Sequence, residues 1–446
     1  MLKSWKCENV GKVCHTTPCS VVSLFTFSHF HLFVLALLLA LPASADTIPP
    51  TATSVDTFTT VIRQRIDVLL DDEIFERTQL GLYIYDITAD VPLYDCGSRQ
   101  SMRPASSMKV LTAATALAFL GSDYNYSTQL YLADSTHVAL RGGMDPMIDH
   151  EDLMAFAQTL MAAGLDTIAT DIICDASFKD SLTLGWGWCW DDEAVPLTPF
   201  LYQGKATFDQ HFRQALQQAG ITFTGHLVPG RVPANAVLLS TRTHTIRQIL
   251  HPMLKRSNNL YAESLFYQLA ALSRQPYASH KDAARQVNQF IDLCGHVISH
   301  HQVADGSGLS LYNYVTPALL VDALRYIYRQ QDLYTIFYDA LPIMGRDGTL
   351  KRRCVGTSAQ DRIHAKTGTV EGVSSLAGYA IAPNGHHLAF AIINQGIRFT
   401  ATGRNFQDRI CKAITQPLDL PTIEPDTIPE TAPEQSEITD SLYTEP

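Results

Sequence analysis

The stretch that most constrains this chain is Pro104-Ala105-Ser106-Ser107-Met108-Lys109-Val110-Leu111-Thr112-Ala113-Ala114, where polar residues open an apolar run rich in helix formers. It reads as the start of a buried helix. Ser106 and Lys109 are three residues apart, so on a helix both project from one face with the ammonium within reach of the hydroxyl. A serine hydroxyl is a poor nucleophile at neutral pH, and a lysine takes its proton only if burial or a neighbouring cation holds the amine neutral. The apolar helix offers that burial. The same residues also fit a hydroxyl helix cap followed by a solvated lysine, and the S-x-x-K spacing alone does not choose between the two.

The chain has 446 residues, 46% hydrophobic and 17% charged, which suits a globular protein of one large or two to three ordinary domains. Its formal charge of −11 is unevenly placed, because eight of the acidic residues fall in 417–446, where there is no Lys or Arg. The nearly neutral remainder, with no basic stripe interleaved with aromatics, argues against nucleic acid as a partner. Residues 21–41 are strongly apolar and precede Pro42-Ala43-Ser44-Ala45-Asp46, an A-x-A cleavage pattern preceded by Lys3, Lys6 and Lys12. We expect a secretory leader over 1–45 and hence an extracytoplasmic protein. The same run is long enough to span a bilayer if it is not cleaved, which would leave the protein anchored to a membrane. The region ahead of the run is long for a leader, so the true start codon can lie downstream of Met1. Past the leader stand Cys96, Cys174, Cys189, Cys294, Cys354 and Cys411, an even number for which disulfides are possible in an oxidising compartment. No C-x-x-C or H-E-x-x-H occurs, and His296, His300 and His301 read as a surface patch, so no metal or organic cofactor is implied.

In chain order, Phe58, Ile62, Ile66 and Leu69 recur at helical spacing, residues 80–87 have the content of a buried strand, and a second strand lies near 93–96. From about 120 to 239 the texture changes to short strands and turn signals such as Arg141-Gly142-Gly143-Met144-Asp145-Pro146 and Gly185-Trp186-Gly187-Trp188, read as an inserted, mostly β domain. Helical spacing returns from Thr243, with helices over 258–272, 280–293 and 317–328 and a loop at 305–310. Residues 362–368, 374–382 and 387–395 read as strands of an antiparallel sheet, Asn384-Gly385 turning the last two into a hairpin. Phe406, Ile410 and Ile414 place a final helix on that sheet, after which the Pro-rich acidic segment is expected to be a disordered tail.

Two further stretches supply the groups that a serine–lysine pair needs. Ser257-Asn258-Asn259 offers a hydroxyl and a carboxamide two residues apart, and Lys366-Thr367-Gly368 offers a cation, a hydroxyl and a residue without a side chain on a strand. A second hydroxyl can relay a proton to a leaving amine, an amide can orient a peptide, and a lysine can bind a carboxylate. Gly368 would let a substrate backbone approach an edge to which an extended peptide adds. Taken singly, the first stretch is equally a helix cap and the second a strand end with a turn glycine.

S-x-x-K, S-x-N and K-T-G in this order form the set found in penicillin-binding proteins and class A β-lactamases. With Lys255-Arg256-Ser257-Asn258-Asn259, Asp305-Gly306-Ser307-Gly308-Leu309-Ser310, Asp347-Gly348-Thr349-Leu350-Lys351 and His364-Ala365-Lys366-Thr367-Gly368-Thr369, the chain resembles the D-alanyl-D-alanine carboxypeptidase/endopeptidase family known as penicillin-binding protein 4, peptidase family S13. The resemblance covers most of 55–415 and implies an α/β (α+β) fold. Its transpeptidase-like domain would be split over 46–120 and 240–416 around an insertion at 121–239, with the tail at 417–446. It makes Ser106 the nucleophile, Lys109 its general base and Ser257 the proton relay. Asn259 would hold the substrate amide, Lys366 and Thr367 the terminal carboxylate, and the backbone N–H groups of Ser106 and Thr369 the oxyanion. Peptidoglycan stem peptides and β-lactams are the implied ligands, and a periplasm is the implied home where an outer membrane exists. The family's G-G-x-D-P turn is matched by Gly142-Gly143-Met144-Asp145-Pro146. Two alternatives are a β-lactamase, for which Glu263 is the sole glutamate between Asn259 and Lys366, and a catalytically silent wall-binding protein that keeps the fold.

Overall fold

The computed structural model describes residues 53–192 and 194–419. The expected leader and all but the first three residues of the expected tail lie outside the described residues. Phe58, Ile62, Ile66 and Leu69 are all buried along α1 (Thr53–Leu70), as their spacing requires. β1 (Gln79–Asp86) and β2 (Val91–Cys96) form a hairpin. α2 (Met108–Leu120) buries each of its first ten residues, the fate of a helix that is apolar on every side, and ends where the Gly121 N–H bonds Leu117 O.

The following segment builds a sheet of its own. β3 (Asn125–Leu132), β4 (Val138–Arg141), α3 (His150–Ala162), β5 (Thr167–Ile168), β6 (Ile172–Asp175), α4 (Phe208–Gln218), β7 (Thr222–Phe223), β8 (Leu227–Pro229) and β9 (Val237–Thr245) follow one another. The strand order is β8-β6-β4-β3-β9, parallel across β8, β6 and β4 and antiparallel across β4, β3 and β9, with β5 and β7 paired separately. Strand residues outnumber helical residues in this segment, as expected, but it also holds two helices that its texture did not suggest. α3 and α4 are there because parallel neighbours need crossover connections, and here those are helices. Leu153, Phe156 and Leu160 of α3 and Phe208, Phe212 and Leu216 of α4 share a core with Leu130 and Leu140 of the sheet.

Helices α5 (Ile246–Lys255), α6 (Asn259–Ala271), α7 (His280–Leu293), α8 (Pro317–Tyr328) and α9 (Gln331–Ala340) come next. Boxes at Thr245/Gln248 and Ser279/Asp282 cap α5 and α7, and Thr316 with Pro317 starts α8. β10 (Ile363–Val370), β11 (Val373–Ile381), β12 (His387–Gln395) and α10 (Thr400–Thr415) close the described chain. The main sheet has the order β10-β11-β12-β1-β2 and is antiparallel throughout, so the first hairpin and the last three strands pair across the length of the chain. Alternate residues of β11 and β12 feed two cores. Ala377, Tyr379, Ala389, Ala391 and Ile393 pack with α2 and α8, while Leu376, Ala380, Leu388, Phe390 and Ile392 pack with α1 and α10. β10 is left at the sheet's edge, beside the start of α2.

Candidate active site

Ser106 lies in a 3-10 turn, Ala105–Ser107, that runs straight into α2. Ala105 is held at φ +47°, a left-handed conformation that costs a residue with a Cβ about 1–3 kcal/mol. Packing over-determines the turn, since Pro104 O accepts from Ser107 Oγ at 2.7 Å and from Ser375 Oγ of β11 at 2.6 Å. Ser106 itself stays half-buried.

Lys109, the second residue of α2, is fully buried. Its Nζ donates to Ser106 Oγ at 3.0 Å, to Asn259 Oδ1 at 2.7 Å and to Ser307 O at 2.9 Å. Burial draws the ammonium down to about 7, against the opposing pull of Asp305 and Glu263. Two of the three partners are pure acceptors, whereas Ser106 Oγ carries its own proton. A neutral Lys109 therefore keeps its two N–H donors on Asn259 and Ser307 and turns its lone pair to the serine hydroxyl. The solvated-lysine alternative is excluded.

Ser257 occupies the turn between α5 and α6 at φ +59°. Asn258 is the residue that caps α6, its Oδ1 accepting from Tyr261 N at 3.3 Å, while Ser257 and Asn259 on either side bond the two lysines. Lys366 Nζ on β10 donates to Ser257 Oγ at 2.7 Å and to Thr367 O at 2.6 Å. Burial and the nearby Lys109 charge hold Lys366 well below the ordinary lysine range. Thr367 Oγ1 bonds Thr349 Oγ1 at 2.8 Å, and Thr369 is exposed further along the edge strand. Three segments far apart in sequence thus meet through Ser106, Lys109, Asn259, Ser257 and Lys366.

Gly368 has a packing reason that its sequence did not suggest. A Cβ there would lie 2.2 Å from Ser375 Oγ, 2.8 Å from Pro104 O and 2.9 Å from Ser106 N. The missing side chain lets β10 close onto the serine turn.

Two residues take supporting roles that the sequence did not assign to them. Glu263 of α6 is buried and accepts from Gly306 N at 3.1 Å and Ser307 N at 2.8 Å, which holds the Ser307 carbonyl on Lys109. Burial, with Asp305 nearby, pushes its carboxyl up to about 8. Committed to two backbone donors, Glu263 is a strut for the 305–310 loop and not a water-activating base of the kind a β-lactamase needs. Asp305 organises the same loop by accepting from Gly308 N at 2.7 Å, Ser310 N at 2.7 Å, Asn313 Nδ2 at 2.6 Å and Trp188 Nε1 at 2.8 Å. The available signal was an acidic residue inside an otherwise apolar helix, which must find a buried partner. Among the described residues, no group of three or more His, Cys, Asp or Glu could hold a metal ion, and the six cysteines are unpaired thiols. No helix among them is long and apolar enough to cross a membrane.

The family model described as the D-Ala-D-Ala carboxypeptidase 3 (S13) family matches residues 62–201 and 194–416. A D-alanyl-D-alanine carboxypeptidase from Actinomadura sp. (strain R39) is 27% identical over 441 residues, covering 76% of this chain and 81% of that protein. The crystal structure of penicillin binding protein 4 from Haemophilus influenzae superposes with a TM-score of 0.69 at 21% identity, covering 78% of this chain and 97% of the other, a likeness of fold. With its family match running through both halves of the main sheet and all three polar motifs, the chain belongs to the D-Ala-D-Ala carboxypeptidase 3 (S13) family.

Proposed function

We propose that this chain is a secreted serine peptidase that cleaves at the D-Ala carbonyl of peptidoglycan stem peptides, as a D-Ala-D-Ala carboxypeptidase and DD-endopeptidase, and that β-lactams acylate the same serine. The observation that carries the reading is the Lys109 amine, drawn down to about 7 and 3.0 Å from Ser106 Oγ. Neutral Lys109 takes the Ser106 proton as Oγ attacks the carbonyl carbon. The oxyanion sits between the backbone N–H groups of Ser106 and Thr369, donors worth about 3 kcal/mol each in other acyl-transfer enzymes. As the C–N bond breaks, Ser257 passes a proton from the lysine pair to the leaving amine. Water then attacks the Ser106 ester, giving one proton to neutral Lys109, which hands it to Ser106 Oγ as the acyl C–O bond breaks. The free acid leaves, and the resting serine and neutral amine are restored. Asn259, its Oδ1 fixed on Lys109, offers Nδ2 to the substrate amide. Lys366 and Thr367 bind the carboxylate beside the scissile bond, and the edge strand β10 pairs with the extended peptide.

Terminal D-Ala and a D-Ala cross-link present the same carbonyl to the same serine, which is why one site serves both reactions. We read 46–120 and 240–416 as the catalytic domain and 121–239 as its insertion. The A-x-A pattern at Ala43-Ser44-Ala45 supports export, to the periplasm where there is an outer membrane. The test is labelling by a fluorescent penicillin, followed by mass analysis of cross-linked and uncross-linked muropeptides. Stoichiometric labelling that is lost in Ser106→Ala, together with release of D-Ala or of monomers, is expected. Rapid steady turnover of a chromogenic cephalosporin would indicate a β-lactamase, and no labelling at all a silent wall-binding protein.

A further inference from the structure

Asp347-Gly348-Thr349-Leu350 has no part in the chemistry above, yet this one turn touches two of the segments that form the cleft. Lys255, buried two residues ahead of Ser257, donates Nζ to Asp347 Oδ2 at 2.5 Å. The other carboxylate oxygen accepts from Ile343 N at 2.7 Å, which fixes the turn's own shape. Gly348 sits at φ +56°, and a Cβ on it would lie 2.6 Å from Lys255 O, so the turn rests directly on the backbone leading into Ser257. Leu350 anchors the far end in the core behind the main sheet. Thr349 is exposed between these anchors, and its Oγ1 accepts from Thr367 Oγ1 at 2.8 Å.

We infer that Thr349 is a positioning and specificity residue for the carboxylate subsite, held in place by the Lys255–Asp347 pair and acting through the Thr367 hydroxyl. The inference rests on the reading above, in which Thr367 binds the carboxylate next to the scissile bond. In the empty site Thr367 O–H points at Thr349 Oγ1. When a carboxylate arrives, Thr367 turns its proton onto the anion, and the Thr349 hydroxyl then donates into the vacated lone pair. The result is a chain of two hydroxyls ending on the carboxylate, in which each bond polarises the next. A carboxamide gains much less, because its oxygen is a weaker acceptor than an anion's.

The experiment compares a stem-peptide analogue ending in D-Ala-D-Ala carboxylate with the same peptide ending in carboxamide, on wild type, Thr349→Val and Thr349→Ser. Valine keeps the branched shape and removes the hydroxyl. The expected result for Thr349→Val is a KM for the carboxylate peptide raised about three- to tenfold, the loss that goes with one hydrogen bond. Its kcat should stay within about twofold, kcat/KM for the carboxamide should be unchanged, and Thr349→Ser should restore the preference. The melting temperature is expected to be unaltered, because the side chain is exposed. An unchanged carboxylate preference in Thr349→Val, an equal loss on both peptides, or failure of serine to restore the preference would overturn the inference while leaving Ser106 chemistry standing. Wild-type protein that neither accepts penicillin at Ser106 nor cleaves either peptide would instead overturn the catalytic reading, and the inference with it.

Discussion

At the scale of single residues, the site is a contest between desolvation and charge around Lys109. Burial favours the neutral amine, Asp305 and Glu263 favour the cation, and the balance falls near 7. With the neutral amine as the base, as proposed, penicillin acylation of Ser106 is expected to rise with pH through an apparent pKa of about 7. Below that point it should fall about tenfold per pH unit, as for a single titrating base. Stopped-flow or quenched labelling from pH 5 to 9 checks this, and a flat profile would remove Lys109 from the base role. Lys109→Arg should cost about 10²- to 10⁴-fold in acylation at pH 7, because a guanidinium keeps its proton. Sequence spacing put Ser106 and Lys109 on one face. It carried no information that Asn259 and Ser307 would occupy the other two amine directions, since those partners are 150 and 198 residues away.

At the scale of elements, the edge strand β10 and the serine turn have to be fitted to each other. Gly368→Ala places a methyl against Ser375 Oγ, Pro104 O and Ser106 N, and only the first of these can swing aside. The strand must therefore shift away from the turn, taking Lys366 with it. We expect penicillin acylation to fall by at least about tenfold, as misplacement of reacting groups does, while labelling remains specific to Ser106. Acylation within twofold of wild type would show that the contact is dispensable. Helical and strand elements with clear periodicity were legible in advance. Expected and observed limits coincide for α7, α8 and β12, whose apolar positions and caps leave little choice. α3 and α4 were not read, although Leu153, Phe156 and Leu160, and Phe208, Phe212 and Leu216, have helical spacing. Short strands and glycine-rich turns around them dominated the texture. Gly368 was read as a residue that serves a ligand, because a sequence does not say which neighbour a missing Cβ makes room for.

At the scale of the whole molecule, the segment proposed as an insertion is tied to α5, α6 and α8 by packing as well as by the chain. Tyr126, Met144, Leu197 and Leu201 join the same core as Leu254, Phe266 and Leu320. Gln268 Nε2 of α6 donates to Gly143 O at 2.8 Å, and Trp188 reaches Asp305. We therefore expect one cooperative thermal transition, with loss of penicillin labelling at the same midpoint. Phe212→Ala, which empties part of the insertion's own core, should lower that shared midpoint through a loss of about 3–5 kcal/mol. Two calorimetric transitions, with labelling surviving the first, would show that the insertion unfolds alone. The sequence by itself determined which side chains could do acyl-transfer chemistry and roughly where α6, α7, α8 and the main-sheet strands begin and end, because caps, periodicity and motif spacing are local. Tertiary structure alone decided that Lys109 is dry enough to be a base, that Lys366 faces Ser257, and that β10 lies against the serine turn. Burial, charge coupling and steric fit are properties of neighbours brought together from more than a hundred residues apart.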